Sequence, residues 1–358
     1  MKRLTLTFEK KSYDIVINDN FEMLKDELCK VCKGKALLVT DTNVCALYKE
    51  EVQKINSDTN IELAGCVSFD AGEKSKNIAT LQKIYEACIE HELDRNSTII
   101  ALGGGVVGDI SGFAAATYMR GINFVQVPTT LLAQTDSSVG GKVGIDFCGA
   151  KNIVGNFKQP SLVYINTSTL KTLPKREFSA GMAEVIKYGY IKDSEFLSFL
   201  EKEHESICAL DSVMVEKLIY NCCKIKADVV MQDEEEKSIR AILNFGHTIG
   251  HGVESAKNFE LIHGECVALG MIAAIIISVK REWIDASEIE RIKDILTKYS
   301  LMTKVVGVNA KEIISYMKKD KKKLNSKLRF VLLQDIGKAI ITDDVCDEEI
   351  LLAINALM

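Results

Sequence analysis

Three of the chain's five histidines, His247, His251 and His263, fall within seventeen residues in NFGHTIGHGVESAKNFELIHGE, each with glycine beside it. Imidazole is the commonest metal ligand and the commonest acid/base group near neutral pH. Glu184, in AGMAEVIKYG, adds a carboxylate. Two imidazoles and one carboxylate with a position left open make a common catalytic zinc set. Spacing alone pairs His247 with His251, because i and i+4 share a helix face, and leaves His263 unassigned. The alternative is three histidines satisfied by hydrogen bonds within a helical core.

Two further stretches carry chemistry. GGGVVGD, Gly103 to Asp109, follows the apolar run TIIAL and opens a helix-compatible segment, with Gly103, Gly105 and Gly108 in GxGxxG spacing. Missing Cβ atoms let backbone amides at a helix N-terminus approach a pyrophosphate. The acidic residue that the fingerprint requires about twenty positions later is not in place, although Asp41 ends an earlier strand run. A tight turn that simply needs glycine accounts for the motif equally well. The second stretch, TTLLAQTDSSVGGKVGID with GAKNIVGNF, strings Thr129, Thr130, Asp136, Lys142, Lys151 and Asn152 through small residues. Such a segment leaving the carboxyl end of a strand suits a phosphate or carboxylate, and is otherwise a solvated loop.

The elements that must position these groups are legible from composition. The chain has 358 residues, 47% of them hydrophobic, enough for two domains of ordinary size. Residues 36 to 170 alternate short β-branched runs (ALLVTD, CVSFDAGE, STIIALGGG, INFVQVPTT, LVYINT) with helical stretches, the signature of a largely parallel sheet. The N-terminus, MKRLTLTFEKKSYDIVIN, reads as a strand pair. Beyond Pro174, long helical patterns take over at Glu177 to Tyr190, Val213 to Met231 and Ile262 to Lys280, which places a domain boundary near residue 172. KLRFVLLQDIGKAIIT reads as a short hairpin. The apolar run Val267 to Val279 is too short to span a bilayer and reads as a buried helix. A net charge of -5 argues against nucleic acid, because phosphate-backbone binding needs a broad basic surface. Eleven scattered cysteines, with one CxxC at Cys29 and Cys32, suit reduced thiols in a cytoplasm.

GGGVVGDISGFAAATYMRG, PTTLLAQTDSSVGGK, KNIVGNFKQP, LPKREFSAGMAEVIKYG, RAILNFGHTIGHGVE, HGECVALGM and DKKKLNSKLRFVLL, in this order, resemble the 3-dehydroquinate synthase family of sugar-phosphate cyclases. The resemblance implies an α/β, Rossmann-like NAD-binding domain over residues 1–172. An all-α metal- and substrate-binding domain over 173–358 follows, carrying the late hairpin. It implies a cytoplasmic homodimer acting on a small molecule, with no nucleic acid or membrane partner. The implied reaction is a carbon–oxygen lyase step of the shikimate pathway, from 3-deoxy-D-arabino-heptulosonate 7-phosphate to 3-dehydroquinate and phosphate, using NAD and Zn2+ or Co2+.

Carried over by motif, the resemblance assigns the metal to Glu184, His247 and His263 and leaves His251 as an acid/base or phosphate-contacting group. For NAD it points to Asp41, Asn43, Glu73 and Lys76, then to Gly104, Gly105, Val106 and Asp109. Thr129, Thr130, Leu132, Asp136, Lys142 and Lys151 follow, with Thr172, Leu173 and Glu177. An acid such as Asp41 can accept ribose hydroxyls and would repel a 2'-phosphate. For substrate it points to Asp136, Lys142, Asn152, Lys187, Lys226, Arg240, Asn244 and Lys321, with Arg120 reaching a partner subunit's site. Lys226 and Arg240 suit a carboxylate, and Lys142, Asn152, Lys187 and Arg120 a phosphate. Catalytic roles fall to His251, Lys142 and Glu236. Glu236 is either a proton relay or an exposed i,i+4 ion pair with Arg240.

Overall fold

The computed structural model describes residues 1–9, 11–54, 61–324 and 328–358, the side chains of 319–324 excepted. The chain divides into two compact units, Met1–Leu173 with Val215–Met231, and Pro174–Met214 with Gln232–Met358.

In the first unit, seven described strands form one sheet. They are β1 (Lys2–Thr7), β2 (Ser12–Asn18), β3 (Gly34–Asp41), β4 (Ile61–Phe69), β5 (Thr98–Gly103), β6 (Asn123–Pro128) and β9 (Leu162–Asn166), in the order β1-β2-β9-β6-β5-β3-β4. Only β1, paired with β2, is antiparallel. Near-continuous apolar runs are what a parallel strand covered on both faces requires. Successive side chains point to opposite faces. Leu37, Val39, Ile99 and Ala101 thus enter a core closed by the helices Ile78–Glu90 and Gly105–Thr117. Leu38, Ile100 and Leu102 enter the opposite core, closed by Leu24–Val31 and Thr42–Gln53.

Two features differ from the sequence reading. The glycine-rich stretch after Val139 is an antiparallel hairpin, β7 (Lys142–Phe147) with β8 (Ala150–Phe157), not a loop. Gly144 and Gly155 face each other across it, so the apolar alternation that marks a strand is interrupted where the backbones come closest. The helix Ser212–Gln232 contributes Val215–Met231 to the first unit, although residues 173–358 were all expected in the second domain. The thiol of Cys223 donates to the carbonyl of Gln134 at 3.3 Å, and Lys226 Nζ donates to the carbonyl of Asp136 at 2.7 Å.

The second unit is built from helices, chiefly Lys175–Lys192, His247–Ala256, His263–Lys280, Ser287–Lys298 and Ala310–Leu324, plus the hairpin β10 (Phe330–Asp335) and β11 (Lys338–Thr342). By length and composition alone His263–Lys280 could cross a bilayer, and 83% of it is buried within the protein, as in a core helix. At its end Arg281 grips Glu349 through two N–H donors at 2.7 and 2.9 Å. Against the opposing effect of burial, Arg281 pulls the Glu349 carboxyl down to about 2. Because the folded value lies below the ordinary 4.5, the pair's stabilisation is fully present above that pH and is lost as pH falls towards 2. Urea midpoints of the wild type and Glu349→Gln should differ at pH 6 and converge near pH 2. A gap that is independent of pH would remove this role.

Candidate active site

The second unit carries His247, His251 and His263. Glu184 and Lys187 lie one turn apart on the helix Lys175–Lys192, both fully buried, and Lys187 Nζ pairs with Glu184 Oε2. His247 and His263 are the first residues of two other helices. Gly246, at φ 82°, makes the left-handed turn that delivers His247, a conformation cheap only for glycine. His263 Nε2 stands 3.2 Å and His247 Nε2 3.5 Å from Glu184 Oε1. The ligand atoms of Glu184, His247 and His263 all lie within 4.8 Å of one another. This is the triplet that the resemblance assigned. The His247–His251 pairing suggested by spacing is not that triplet, although the two ring centroids are 5.4 Å apart.

The electrostatics suit a cation. Burial alone would raise the Glu184 carboxyl, but Lys187, His247 and His263 hold it well below the usual carboxylate range. Burial first, with Lys187 and the other imidazoles, holds His247 well below the ordinary imidazole value and keeps it neutral. Its Nδ1 meets the carbonyl of Phe245 at 3.1 Å. A carbonyl only accepts, so Nδ1 carries the hydrogen and Nε2 keeps a lone pair, the tautomer a metal ligand needs.

The segment before His247 is organised by Asp233, which the sequence reading did not single out. Its carboxylate accepts from the backbone N–H of Lys237, Ser238 and Arg240 at 2.8, 2.7 and 3.0 Å. Against burial, these bonds draw its pKa to about 2. They fix a turn in which the buried Arg240 donates to the carbonyl of Glu234. Glu236 has φ 56° and accepts from Asn244 at 2.8 Å. It therefore does not stand one helical turn below Arg240, which corrects the i,i+4 reading.

In the first unit, Gly104 caps the helix Gly105–Thr117 at the end of β5. A Cβ on Gly103 would lie 2.6 Å from Val107, and one on Gly108 2.7 Å from Gln126 Oε1. The glycine spacing is thus demanded by how this helix meets its own sheet, whatever else approaches it. Lys76, behind Glu73 of a short 3-10 turn, donates to Asp109 Oδ2 and Asn152 Oδ1, each at 2.5 Å. Burial would lower its pKa, and Asp109, Glu73 and Asp146 more than offset that, so it stays a cation. Asn152, at φ 52°, is held in addition by its N–H to Asp146 Oδ1 at 2.8 Å. Asp41 caps Thr42–Gln53 by accepting from the N–H of Asn43 and Val44.

Around Thr129, Thr169 donates to the Thr129 carbonyl and Gln134 donates to Thr169, while the buried Thr129 hydroxyl has no hydrogen-bond partner among the described residues. Tyr48 contacts Thr172 through their hydroxyls. Lys226 is ion-paired with Asp136 and largely buried. Lys142 and Lys151 are exposed on the β7–β8 hairpin. Arg120 is exposed in a turn where Met119, Arg120 and Gly121 all have positive φ. Glu177 lies in the first turn of Lys175–Lys192, in the second unit. The Lys321 side chain lies outside the described residues.

Residues 66–180 match the family described as 3-dehydroquinate synthase N-terminal, and 181–323 the family described as 3-dehydroquinate synthase C-terminal. The chain is 47% identical over 352 residues, 98% of each chain, to a 3-dehydroquinate synthase of Acetivibrio thermocellus. It is 42% identical over 355 residues, 97% of each, to one of Prochlorococcus marinus. Among solved structures, the 2-epi-5-epi-valiolone synthase of Streptomyces hygroscopicus with NAD+ and Zn2+ bound is similar at TM-score 0.90, with 26% identity over 98% of each chain. A 2-deoxy-scyllo-inosose synthase complexed with carbaglucose-6-phosphate, NAD+ and Co2+ is similar at TM-score 0.90, with 26% identity over 100% of each.

Proposed function

Because the chain belongs to the 3-dehydroquinate synthase family, we propose that it converts 3-deoxy-D-arabino-heptulosonate 7-phosphate to 3-dehydroquinate and phosphate, a carbon–oxygen lyase reaction of the shikimate pathway. The observation that carries this reading is the Glu184–His247–His263 triplet, with an ionised carboxylate and a neutral imidazole whose Nε2 keeps its lone pair. That donor set fits Zn2+ or Co2+. The glycine-capped helix and the unpartnered buried hydroxyl of Thr129 fit NAD. When bound, NAD supplies a reversible hydride acceptor and the divalent ion a Lewis acid at the same carbon's oxygen.

The chain's own residues do the rest. Gly104, Gly105, Val106, Asp109, Thr129, Thr130 and Leu132 are assigned to the dinucleotide, with Lys76 holding Asp109 in place. By the family motifs alone, Arg240 and Lys226 are assigned to the substrate carboxylate, the arginine offering a planar fork. Asp233 keeps that arginine's backbone fixed. Lys142, Asn152 and Lys187 are assigned to the phosphate, which leaves by β-elimination with its own oxygen as base. His251 and Glu236, the latter held by Asn244, are assigned to hold or move a proton during ring opening. Aldol closure then needs little beyond one conformer being held.

Lys76→Met strips Asp109 and Asn152 of a charged donor. It should weaken NAD binding by roughly tenfold, the cost of one charge-assisted hydrogen bond. Calorimetric titration with NAD checks this, and unchanged affinity would remove Lys76 from the cofactor cradle.

A homodimer with Arg120 serving the partner's site is the assembly we favour. The exposed apolar side chains of Ile153, Val154 and Phe157 on β8 support an interface on this unit, and Gly121, next to Arg120, lies close to Lys158 just beyond that strand. A fully active monomer in sedimentation would end this assignment. The cytoplasm suits eleven free thiols.

The deciding experiment follows phosphate release from the heptulosonate phosphate, with and without chelator, while recording NADH absorbance. Stoichiometric phosphate that chelation abolishes, without accumulating NADH, is the expected result. Accumulating NADH with no phosphate would make the protein a dehydrogenase instead.

A further inference from the structure

The donors around the histidines extend beyond the inner triplet. His251, Glu254 and His263 form a second group whose ligand atoms also lie within 4.8 Å of one another. His251 and Glu254 are three residues apart on the helix His247–Ala256, so both project from one face. Glu254 is only 5% exposed. His263 belongs to both groups, its ring centroid 5.2 Å from that of His247 and 5.9 Å from that of His251. Exposure falls from His251 through the other two histidines to Glu184, whereas Glu254 is already buried. His251 is open to solvent, and the His263, His247 and Glu184 side chains are 34%, 14% and 1% exposed.

From this arrangement we propose that His251, Glu254 and His263 form an outer loading position for a divalent ion of the zinc and cobalt class. The ion then exchanges His251 and Glu254 for His247 and Glu184 while keeping His263. Both positions offer two imidazoles and a carboxylate, so transfer changes neither the ligand types nor their charge. The buried inner carboxylate is thereby reached without the ion shedding all its ligands at once. The proposal rests on the inner triplet being the metal site.

The test mixes metal-free protein with Co2+ in a stopped-flow instrument and follows the visible absorption of the bound ion. The wild type should show a first phase whose rate rises with Co2+ concentration and a second whose rate does not. Glu254→Gln should slow the first phase about tenfold, as loss of a supporting carboxylate does. It should reach the same final spectrum at one ion per chain. Glu254→Asp, which keeps the charge, should restore the fast phase and guards against a folding defect in the amide variant. A single phase in the wild type with Glu254→Gln superimposed on it would overturn the proposal. So would an altered final spectrum in Glu254→Gln, since Glu254 would then shape the inner centre. Glu184→Ala reports separately on the triplet: a final spectrum that survives it defeats the inner reading, whatever Glu254 does.

Discussion

Glu184→Gln is expected to lose metal and turnover together, with phosphate release falling by at least roughly a thousandfold, the scale of losing a Lewis acid from the reacting carbon. The substitution preserves shape and removes one charge. His247 and His263 keep their positions at the starts of their helices, so two neutral ligands remain, too few to hold the ion through dialysis. The variant also leaves the buried Lys187 facing a neutral amide. Breaking one half of a buried ion pair costs about 3–5 kcal/mol. The melting temperature should therefore fall, and Glu184→Gln combined with Lys187→Met should recover part of that fall without recovering activity. Metal content after dialysis, phosphate release and calorimetry on the same samples separate these effects. Full metal retention by Glu184→Gln would remove the carboxylate from the ligand set.

Gly270→Ala is expected to damage the same centre from a residue outside the Glu184–His247–His263 triplet. A Cβ there would sit 1.7 Å from the carbonyl oxygen of Gly246 and 2.9 Å from the N–H nitrogen of Gly250. The obstruction is backbone, which cannot rotate aside. Gly246 is the left-handed turn before His247, and Gly270 lies on the helix that begins with His263. One methyl group therefore pries apart the two helices whose first residues are the histidines of the proposed metal triplet. Overpacking of this kind costs about 3 kcal/mol or more. The urea midpoint should drop and Co2+ affinity with it. A stable variant of normal Co2+ affinity would show that these helices can separate without disturbing the site.

These two residues also explain what the sequence does and does not disclose. The parallel strands are legible because β3, β5 and β6 are buried on both faces and so are largely apolar, with Thr40, Thr98 and Gln126 as buried polar exceptions. The metal triplet is different. Helical spacing favours His247 with His251, since the i,i+4 rule knows only one helix. His263 joins through close contact between two helices, made possible by Gly246 and Gly270, and no periodicity records such a contact. Here the motifs shared with relatives carried the assignment. The hairpin β7–β8 escaped because glycines at its centre erase the alternation. Asp233 escaped because its three bonds go to backbone N–H groups, which every residue type supplies. Of the two alternatives for Glu236, the i,i+4 spacing fails because an acidic run before an arginine reads as helix, whereas Asp233 folds it into a turn.

Asp41 has a consequence for anyone wishing to change the dinucleotide this protein prefers. On the proposed reading, in which Asp41 faces the ribose hydroxyls, the obvious redesign removes its negative charge to admit a 2'-phosphate. The same carboxylate ties down the start of the helix Thr42–Gln53, so an alanine would trade cofactor choice against a frayed element. Asparagine or serine discards the charge and keeps an acceptor for the N–H groups of Asn43 and Val44. A library built for the new cofactor should begin from those two residues at this position.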